Sequence, residues 1–282
     1  MAHLSTETTQ REDEFSLTPG DGWHCTHLFY QMPQEVRARL ALSSEEKAKM
    51  ASEFNALFSV ENSTRPHRHF LSLLSGGKAD FGLVLMDPDP LVLIRFQRSL
   101  LGTAFGRLFA VTYSYTSISE ISEYLPSKEE FTARLVREGE EEGSPGFQAK
   151  VDAYEHRQKE MKRQRLTPVF PDWPVICFYP MNRRRHPDTN WYLLNFEERA
   201  RLTAEHARSG MQSKGEVTQL VTASTGLDNW EWGVTLWAKR PHFIKEIVYR
   251  MRFDEISAKY SDFGQFFIGY NSSPEIVVET LT

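Results

Sequence analysis

The fold of this chain is decided by the stretch Asp80-Phe81-Gly82-Leu83-Val84-Leu85-Met86 and by the proline that follows it, Pro90. The pattern returns as Glu231-Trp232-Gly233-Val234-Thr235-Leu236-Trp237, followed by Pro241, at a constant offset of 151 residues (231 − 80 and 241 − 90). Both copies place an acid, an aromatic ring, a glycine and an aliphatic residue in the same order. Two hairpins could match by coincidence, but the length of the match favours an internal duplication.

The elements around the two copies follow one order, strand–helix–strand–strand–helix–strand. In the first half, apolar runs predict strands over 23–32, 70–74, 81–86 and 108–115, and start signals predict helices over 43–58 and after Pro90. In the second half, the strands cover 175–181, 217–223, 232–237 and 266–270, and the helices cover 195–211 and the residues after Pro241. The sequence therefore predicts an α+β protein of two ferredoxin-like units, with antiparallel sheets and helices on one face.

This order divides the chain into four predicted parts. Residues 1–20 are a flexible N-terminal arm, 21–120 the first ferredoxin-like unit, 121–168 a charged linker and 169–282 the second unit. The linker is dense in charge and is broken by Gly143-Ser144-Pro145-Gly146. We expect helical pieces in it but no third core.

The composition excludes several classes of protein. A net charge of −5 and a pI of about 6.0 argue against a general nucleic-acid-binding protein, which carries a basic surplus. Cys25 and Cys177 are the two cysteines, so we expect no disulfide framework and a reducing, cytoplasmic location. The first 17 residues lack an apolar signal core, and no apolar run approaches the roughly 18 residues that span a bilayer.

Two closely spaced histidine pairs, His24 with His27 and His67 with His69, are candidates for metal ligands. Cys25 adds a third ligand type beside the first pair, but a closed zinc site needs four ligands. We therefore interpret both pairs as solvated or hydrogen-bonded surface histidines.

In the second half, polar residues interrupt two apolar patterns. His206 lies four residues after Leu202, on the apolar face of its predicted helix, while its counterpart 151 residues earlier is Asn55. It is either a half-buried histidine with a hydrogen-bond partner or an axial ligand of haem iron. Gln219 shares a strand face with Val217, and its amide either bonds to a loop or faces a pocket.

Tyr179 ends a buried strand just before the basic run of Arg183, Arg184 and Arg185. Guanidinium groups bind carboxylates bidentately, so this combination suits an acidic ligand. A basic surface turn is the alternative. Arg165 belongs to the charged linker, where a solvated helix face is the plain interpretation.

Three longer motifs make the chain resemble a known family. They are Tyr179-Pro180-Met181-Asn182-Arg183-Arg184-Arg185 with Asn190-Trp191-Tyr192-Leu193-Leu194, the run from Gly226 to Leu236, and the run from Tyr249 to Tyr260. They are similar to the signature of the peroxide-dependent coproheme decarboxylases in the chlorite dismutase superfamily. The specific match spans about residues 165–270, and the first half matches mainly in architecture.

The resemblance implies two fused ferredoxin-like units of the dimeric α+β barrel type, of which the second binds the porphyrin. It implies that His206 is the axial iron ligand, that Tyr179 is the redox-active tyrosine and that Gln219 is the distal residue. It further implies contacts to the tetrapyrrole and its propionates from Arg165, Tyr179, Pro180, Met181, Asn182, Arg183 and Ser257.

Two positions separate this chain from its relatives. Chlorite dismutases carry an arginine where this chain has Gln219, so the neutral amide argues against chlorite chemistry. Position 183 is often lysine in the decarboxylases, and Arg183 keeps the cation with a different geometry.

The reaction implied is oxidative decarboxylation of two propionates of iron coproporphyrin III (coproheme) to vinyl groups, the last step of coproporphyrin-dependent haem biosynthesis. Coproheme would be both substrate and redox cofactor, hydrogen peroxide the oxidant and haem b the product. The implied partners are a ring of identical subunits, commonly a pentamer, and transiently ferrochelatase. The alternatives are a chlorite dismutase or haem peroxidase, and a haem carrier or sensor. Tyr179 argues against a carrier, because binding alone needs no oxidisable phenol.

Overall fold

The computed structural model describes residues 16–282, so most of the predicted arm at 1–20 lies outside the described residues. The strands of this region are β1 (His24–Gln31), β2 (Arg68–Ser75), β3 (Phe81–Asp87), β4 (Ala110–Ser119), β5 (Val175–Arg183), β6 (Arg185–His186), β7 (Thr189–Asn190), β8 (Val217–Ala223), β9 (Trp232–Ala238), β10 (Ser261–Phe263) and β11 (Phe267–Asn271). The helices are α1 (Gln34–Arg39), α2 (Ser44–Ala56), α3 (Pro90–Gly102), α4 (Lys128–Arg137), α5 (Pro145–Leu166), α6 (Phe196–Met211), α7 (Pro241–Met251), α8 (Glu255–Tyr260) and α9 (Pro274–Leu281).

The predicted helix starts are confirmed by their capping contacts. Ser43 and Glu46 form the reciprocal capping box of α2. The side chain of Asn195 accepts a hydrogen bond from the Glu198 N–H (2.9 Å) at the start of α6. α3 and α7 each begin at a proline. Proline lacks a backbone N–H, but no intrahelical hydrogen bond is lost, because the first N–H groups of a helix have no partner within it. Short-range signals therefore predict where the four helices of the two repeats begin.

The main sheet closes on itself. Its order is β10-β5-β11-β2-β3-β1-β4-β8-β9, and β9 also pairs with β5, so β5, β11, β2, β3, β1, β4, β8 and β9 form a ring. Within the ring, β4-β1-β3-β2 and β11-β5-β9-β8 are two ferredoxin-like sheets of identical order. The α+β prediction is confirmed, with the addition that the two sheets join edge to edge at β2–β11 and β4–β8.

The duplication extends to the strand register. β1 aligns His24 with Asp87 in β3, and β5 aligns Val175 with Ala238 in β9. Adding 151 to the first pair gives the second (24 + 151 = 175 and 87 + 151 = 238). The repeated motif therefore reflects a repeated three-dimensional unit.

The repeated acid has the same role in both units. A side-chain oxygen of Asp80 accepts a hydrogen bond from the backbone N–H of Met32, just beyond β1 (2.7 Å). A side-chain oxygen of Glu231 accepts one from the backbone N–H of Arg183, the last residue of β5 (2.7 Å). Each carboxylate thus fixes the end of the first strand of its own unit.

Three apolar cores follow from this architecture. One lies inside the ring and includes Phe29, Tyr115 and Phe178. The others lie between the outer face of each sheet and the helices that cover it. In the first unit, Leu28 and Phe81 belong to this outer core.

His27 corrects one prediction from the sequence. We expected it at the surface, but it lies inside the ring with no exposed area. Its Nε2 is 2.7 Å from the hydroxyl oxygen of Thr235, and its ring stacks on Phe178 at 4.0 Å. Burial lowers the pKa of His27 to about 3, so the ring stays neutral at physiological pH. Local spacing could not show this, because the interior exists only after the sheet closes.

The C-terminal helix α9 was not predicted. It follows β11 of the second unit, yet Val277 and Val278 are buried in the outer core of the first unit with Phe54. The linker contains α4 and α5, which pack on each other through Phe131, Leu135, Phe147 and Val151. Among residues 16–282, every helix is too short or too polar to cross a membrane.

Candidate functional site

The predicted strand residues share the outer face of β5, β8 and β9. Tyr179 lies directly across from Val234, and Val234 across from Val221, which makes one row over three neighbouring strands. Met181 lies in the next row on one side, across from Trp232, and Gln219 lies in the next row on the other side, across from Leu236. From the spacing of strands and residues, Tyr179 and Gln219 are roughly 12 Å apart along this face. The sheet thus presents a phenol and an amide at a separation that spans a flat ligand.

His206 is held by an acid from the loop between α7 and α8. Its Nδ1 donates a hydrogen bond to Oδ2 of Asp254 (2.8 Å), and the hydroxyl of Ser209 donates to Oδ1 of the same carboxylate (2.6 Å). Because Nδ1 is engaged, Nε2 is the nitrogen left to bind a metal ion. A carboxylate behind a histidine fixes its ring and raises its basicity, which is a common arrangement around metal-binding imidazoles.

Burial and Asp254 act on His206 in opposite directions. Desolvation is the larger effect and lowers the pKa of His206, while Asp254 raises it and the charge of Arg183 lowers it further. The net shift is downward, so the imidazole is neutral at physiological pH and Nε2 keeps its lone pair. In the unfolded chain the histidine has its ordinary pKa of about 6.5 and binds a proton more readily than in the folded protein. The free energy of unfolding therefore decreases as the pH falls below about 6.5.

We expect Asp254→Asn to weaken iron binding while leaving the fold intact. The amide oxygen can still accept from Nδ1, but the negative charge that raises imidazole basicity is lost. Affinity for ferric porphyrin should fall about tenfold, at the lower end of the usual effect of such partners. Spectral titration measures this, with Asp152→Asn on the exposed face of α5 as control. Equal affinities for the two variants would contradict this role.

The three consecutive arginines that begin at the end of β5 have different partners. Arg184 pairs with Asp262 at 2.8 Å, and Arg185 lies 3.5 Å from the carboxylate of Glu231. Arg183 instead donates to the hydroxyl of Ser261 (2.7 Å). The guanidinium of Arg183 lies over two indole rings, Trp191 at 4.6 Å and Trp232 at 5.8 Å. Desolvation lowers its pKa to about 10, which leaves it charged at physiological pH.

A pocket of about 280 Å³ is lined by Phe263 and Phe266, the two rings that pack against Tyr179. Phe266, in its wall, stacks on the Tyr179 ring at 4.4 Å. The polar lining includes Ser257 and Arg252, whose guanidinium lies 4.1 Å from the centre of Phe263. Burial raises the pKa of the Tyr179 phenol, and Arg252 partly opposes this. Asp262 also lines the pocket and pairs with Arg184 at 2.8 Å, so Arg252 is the cation that the pocket offers to an anion, with the Ser257 hydroxyl beside it.

The other predicted contacts lie around this face. Gln219 is exposed on β8, and Arg165 is exposed near the end of α5. The carbonyl of Leu166, at that end, accepts a hydrogen bond from the Ser119 hydroxyl (2.6 Å) of β4. β4 is three strand positions from β5, or roughly 14 Å. Arg165 thus lies on the far side of the face from Tyr179.

Pro180 and Asn182 alternate with the residues of that face. The ring of Pro180 packs against Gly264. A Cβ at position 264 would lie 2.7 Å from a carbon of that ring, so this position requires glycine. The side-chain oxygen of Asn182 accepts from the Glu231 N–H (2.7 Å). Their predicted contacts with a porphyrin remain predictions.

Sequence reasoning missed Asp254, Ser209, Arg252 and Glu231. Asp254 is 48 residues from His206, and no local pattern links them. The family motifs contain three of these residues, Arg252, Asp254 and Glu231. Their place in those motifs was the signal that could have identified them. Among the described residues there is no cluster of three or more His, Cys, Asp or Glu side chains that could hold a metal ion.

The first unit has no equivalent of this site. The residues 151 positions before Tyr179, Arg183 and His206 are Leu28, Met32 and Asn55. Leu28 and Met32 are buried in the outer core of the first unit, beside the helix α9. Tyr179, Arg183 and His206 are therefore particular to the second unit.

Comparison with known proteins finds relatives over most of the chain. The family model described as chlorite dismutase matches residues 47–272. A curated relative from Staphylococcus carnosus, named coproheme decarboxylase, is 36% identical over 92% of this chain and 95% of its own. A heme-binding protein from Thermus thermophilus is 31% identical, with a TM-score of 0.74 over 93% of this chain and 95% of its own. A mutant chlorite dismutase from Candidatus Nitrospira defluvii shares the fold at 18% identity, with a TM-score of 0.67 over 93% of this chain and 96% of its own.

Proposed function

Because the chain belongs to the chlorite dismutase family, we propose that it is an enzyme that oxidatively decarboxylates two propionates of coproheme to vinyl groups, using hydrogen peroxide and releasing haem b. The observation that carries this proposal is the pocket beside Tyr179. A buried phenol adjoins a cation and hydroxyl groups that suit a carboxylate, on the sheet face that Gln219 shares. The 36% identical relative named coproheme decarboxylase supports the same substrate.

The reaction balances with one peroxide for each propionate. The side chain –CH2–CH2–COO⁻ loses carbon dioxide, one proton and two electrons to become –CH=CH2. Hydrogen peroxide takes up two electrons and two protons and becomes two water molecules. The iron porphyrin supplies the redox chemistry, and the protein positions the reacting groups.

In this proposal His206 would hold the iron of a bound porphyrin through Nε2, because Asp254 engages Nδ1 and fixes the ring. Gln219 would offer a neutral amide to the peroxide. Arg183, Arg165 and the serine and arginine of the Tyr179 pocket bind the propionates.

Tyr179 has the central role because it can lose an electron and a proton together. Burial raises its pKa, so the hydroxyl is protonated before the reaction. An electron taken from the phenol leaves an oxidised ring next to the bound propionate. That ring then takes one electron and one proton from the side chain and recovers its hydroxyl, and the side chain gives its second electron to the peroxide-derived oxidant as carbon dioxide leaves.

The proposal is tested by mixing the purified protein with coproheme, titrating peroxide and following the product mass. We expect loss of two carboxyl groups and consumption of one peroxide for each. Bleaching of the porphyrin without decarboxylation would contradict the proposal. The oligomeric ring, commonly a pentamer, and a transient contact with ferrochelatase are part of the same proposal.

We expect little oxygen when chlorite is added to the haem-loaded protein. Gln219 is neutral, so no cation at the distal position retains a chlorine oxyanion. An oxygen electrode measures this, and a chlorite dismutase serves as the positive control. Rapid and sustained oxygen release would favour chlorite chemistry instead. Gln219→Arg alone need not create that activity, because the surrounding pocket is unchanged.

A further inference from the structure

We infer that Glu231 is a positioning residue that sets both the location and the effective charge of Arg183. This inference rests on the proposed function, since it assigns how the chain prepares one cation for a propionate. Glu231 lies in the loop before β9 and is buried, with 6% of its surface exposed. It touches none of the reacting groups named above, so its influence passes through Arg183.

Glu231 is linked twice to consecutive residues of β5. Its carboxylate accepts from the backbone N–H of Arg183 (2.7 Å), and its own N–H donates to the side chain of Asn182 (2.7 Å). Two bonds between one residue and two neighbours fix the strand end in position and rotation. The Arg183 side chain leaves this fixed backbone and reaches the indoles of Trp191 and Trp232.

Glu231 is also the acid that balances Arg183. The guanidinium of Arg183 bonds to a neutral hydroxyl. Desolvation has the largest effect on its pKa and lowers it, while Tyr124, Tyr192 and the charge of Glu231 raise it. Arg185 shares the same carboxylate at 3.5 Å. The acid thus stabilises a buried cation without forming a direct ion pair with it, which leaves the guanidinium available to a ligand carboxylate.

The internal duplication supplies a matched control. Asp80, 151 residues earlier, accepts from the backbone N–H of Met32 at the same distance of 2.7 Å. Its unit has no arginine at that position and no candidate site. Asp80 also forms a direct ion pair with Arg37 (2.6 Å). If both acids were purely structural, the Asp80 variants should therefore disturb the ligand at least as much as the Glu231 variants, whereas a positioning role should make Glu231 alone affect it.

The experiment compares Glu231→Ala, Glu231→Gln, Asp80→Ala and Asp80→Asn in the full chain. The measurements are the melting temperature, coproheme affinity, kcat, KM and the NMR signal of the Arg183 Nε–H. Glu231→Ala loses the clamp, so kcat should fall about tenfold or more, as for other residues that orient a site. Glu231→Gln keeps an acceptor for the Arg183 N–H but removes the charge, so KM should fall a few-fold with kcat nearly unchanged.

Equal effects of the alanine variants on kcat, KM and the Arg183 signal would overturn the inference. If Glu231→Ala does not fold, Glu231→Gln decides alone, and an unchanged or higher KM overturns the inference. Failure of the unmodified chain to convert coproheme would instead contradict the proposed function. The Arg183 signal needs no substrate, so the positioning role remains measurable in that case.

Discussion

Tyr179→Phe should bind coproheme almost normally and form almost no decarboxylated product. Phenylalanine keeps the ring that stacks on Phe266 at 4.4 Å, so the pocket retains its shape. If the hydroxyl makes one hydrogen bond to the ligand, its loss costs about 0.5–1.5 kcal/mol, which corresponds to about a tenfold change in affinity at most. Phenylalanine cannot lose an electron and a proton together, so the proposed relay is removed. Spectral titration and product mass measure the two quantities separately.

Tyr249→Phe is a suitable control, because Tyr249 is 67% exposed on α7. It should match the unmodified chain in both measurements. If Tyr179→Phe converts coproheme at the original rate, the radical role is wrong even if the fold and ligand are right. If it loses binding altogether, Tyr179 is chiefly structural and a haem carrier becomes the better proposal.

His206→Ala should alter the ferric porphyrin spectrum and lower turnover by more than the 10–100-fold typical of a residue behind a metal ligand. The iron loses its protein ligand, while the cations that bind propionates remain. Some porphyrin should therefore still bind. Imidazole added to the solution can enter the space left by the side chain and restore part of the spectrum and rate.

His186→Ala, in the exposed strand β6, is the control and should change neither property. An unchanged Soret band and rate in His206→Ala would remove His206 from the mechanism. Recovery by imidazole distinguishes loss of a ligand from general damage to α6. Ser209 still donates to Asp254 in this variant, which limits the effect of an unpartnered buried carboxylate.

The elements predicted well are those specified by short-range contacts. Ser43, Asn195, Pro90 and Pro241 begin their helices through bonds or steric effects that span one turn. Helix α9 carries the same signals, with Ser273 as N-cap and Pro274 in the first turn. It was missed because Ile276, Val277 and Val278 favour a strand locally, and packing against the first unit decides their conformation.

The sequence predicted which residues belong to the site but not how they are arranged in space. Tyr179 and Gln219 could be assigned to strand faces from their alternation, and the register now places both on one face. The bond from His206 to Asp254 depends on how α6 packs against the turn after α7, which no local pattern specifies. Their catalytic and binding roles stay predictions until the variants above are measured.

The position of α9 has a consequence for the synthesis of this protein on the ribosome. The outer core of the first unit contains Val277 and Val278, and β2 pairs with β11, so both depend on segments that are translated long after the first unit itself. Domains usually fold in order from the N-terminus as the chain emerges. Here the first half exposes an unfinished core until β11 and α9 have been translated, so we expect nascent chains to recruit chaperones and to resist proteolysis only after these elements emerge from the ribosome.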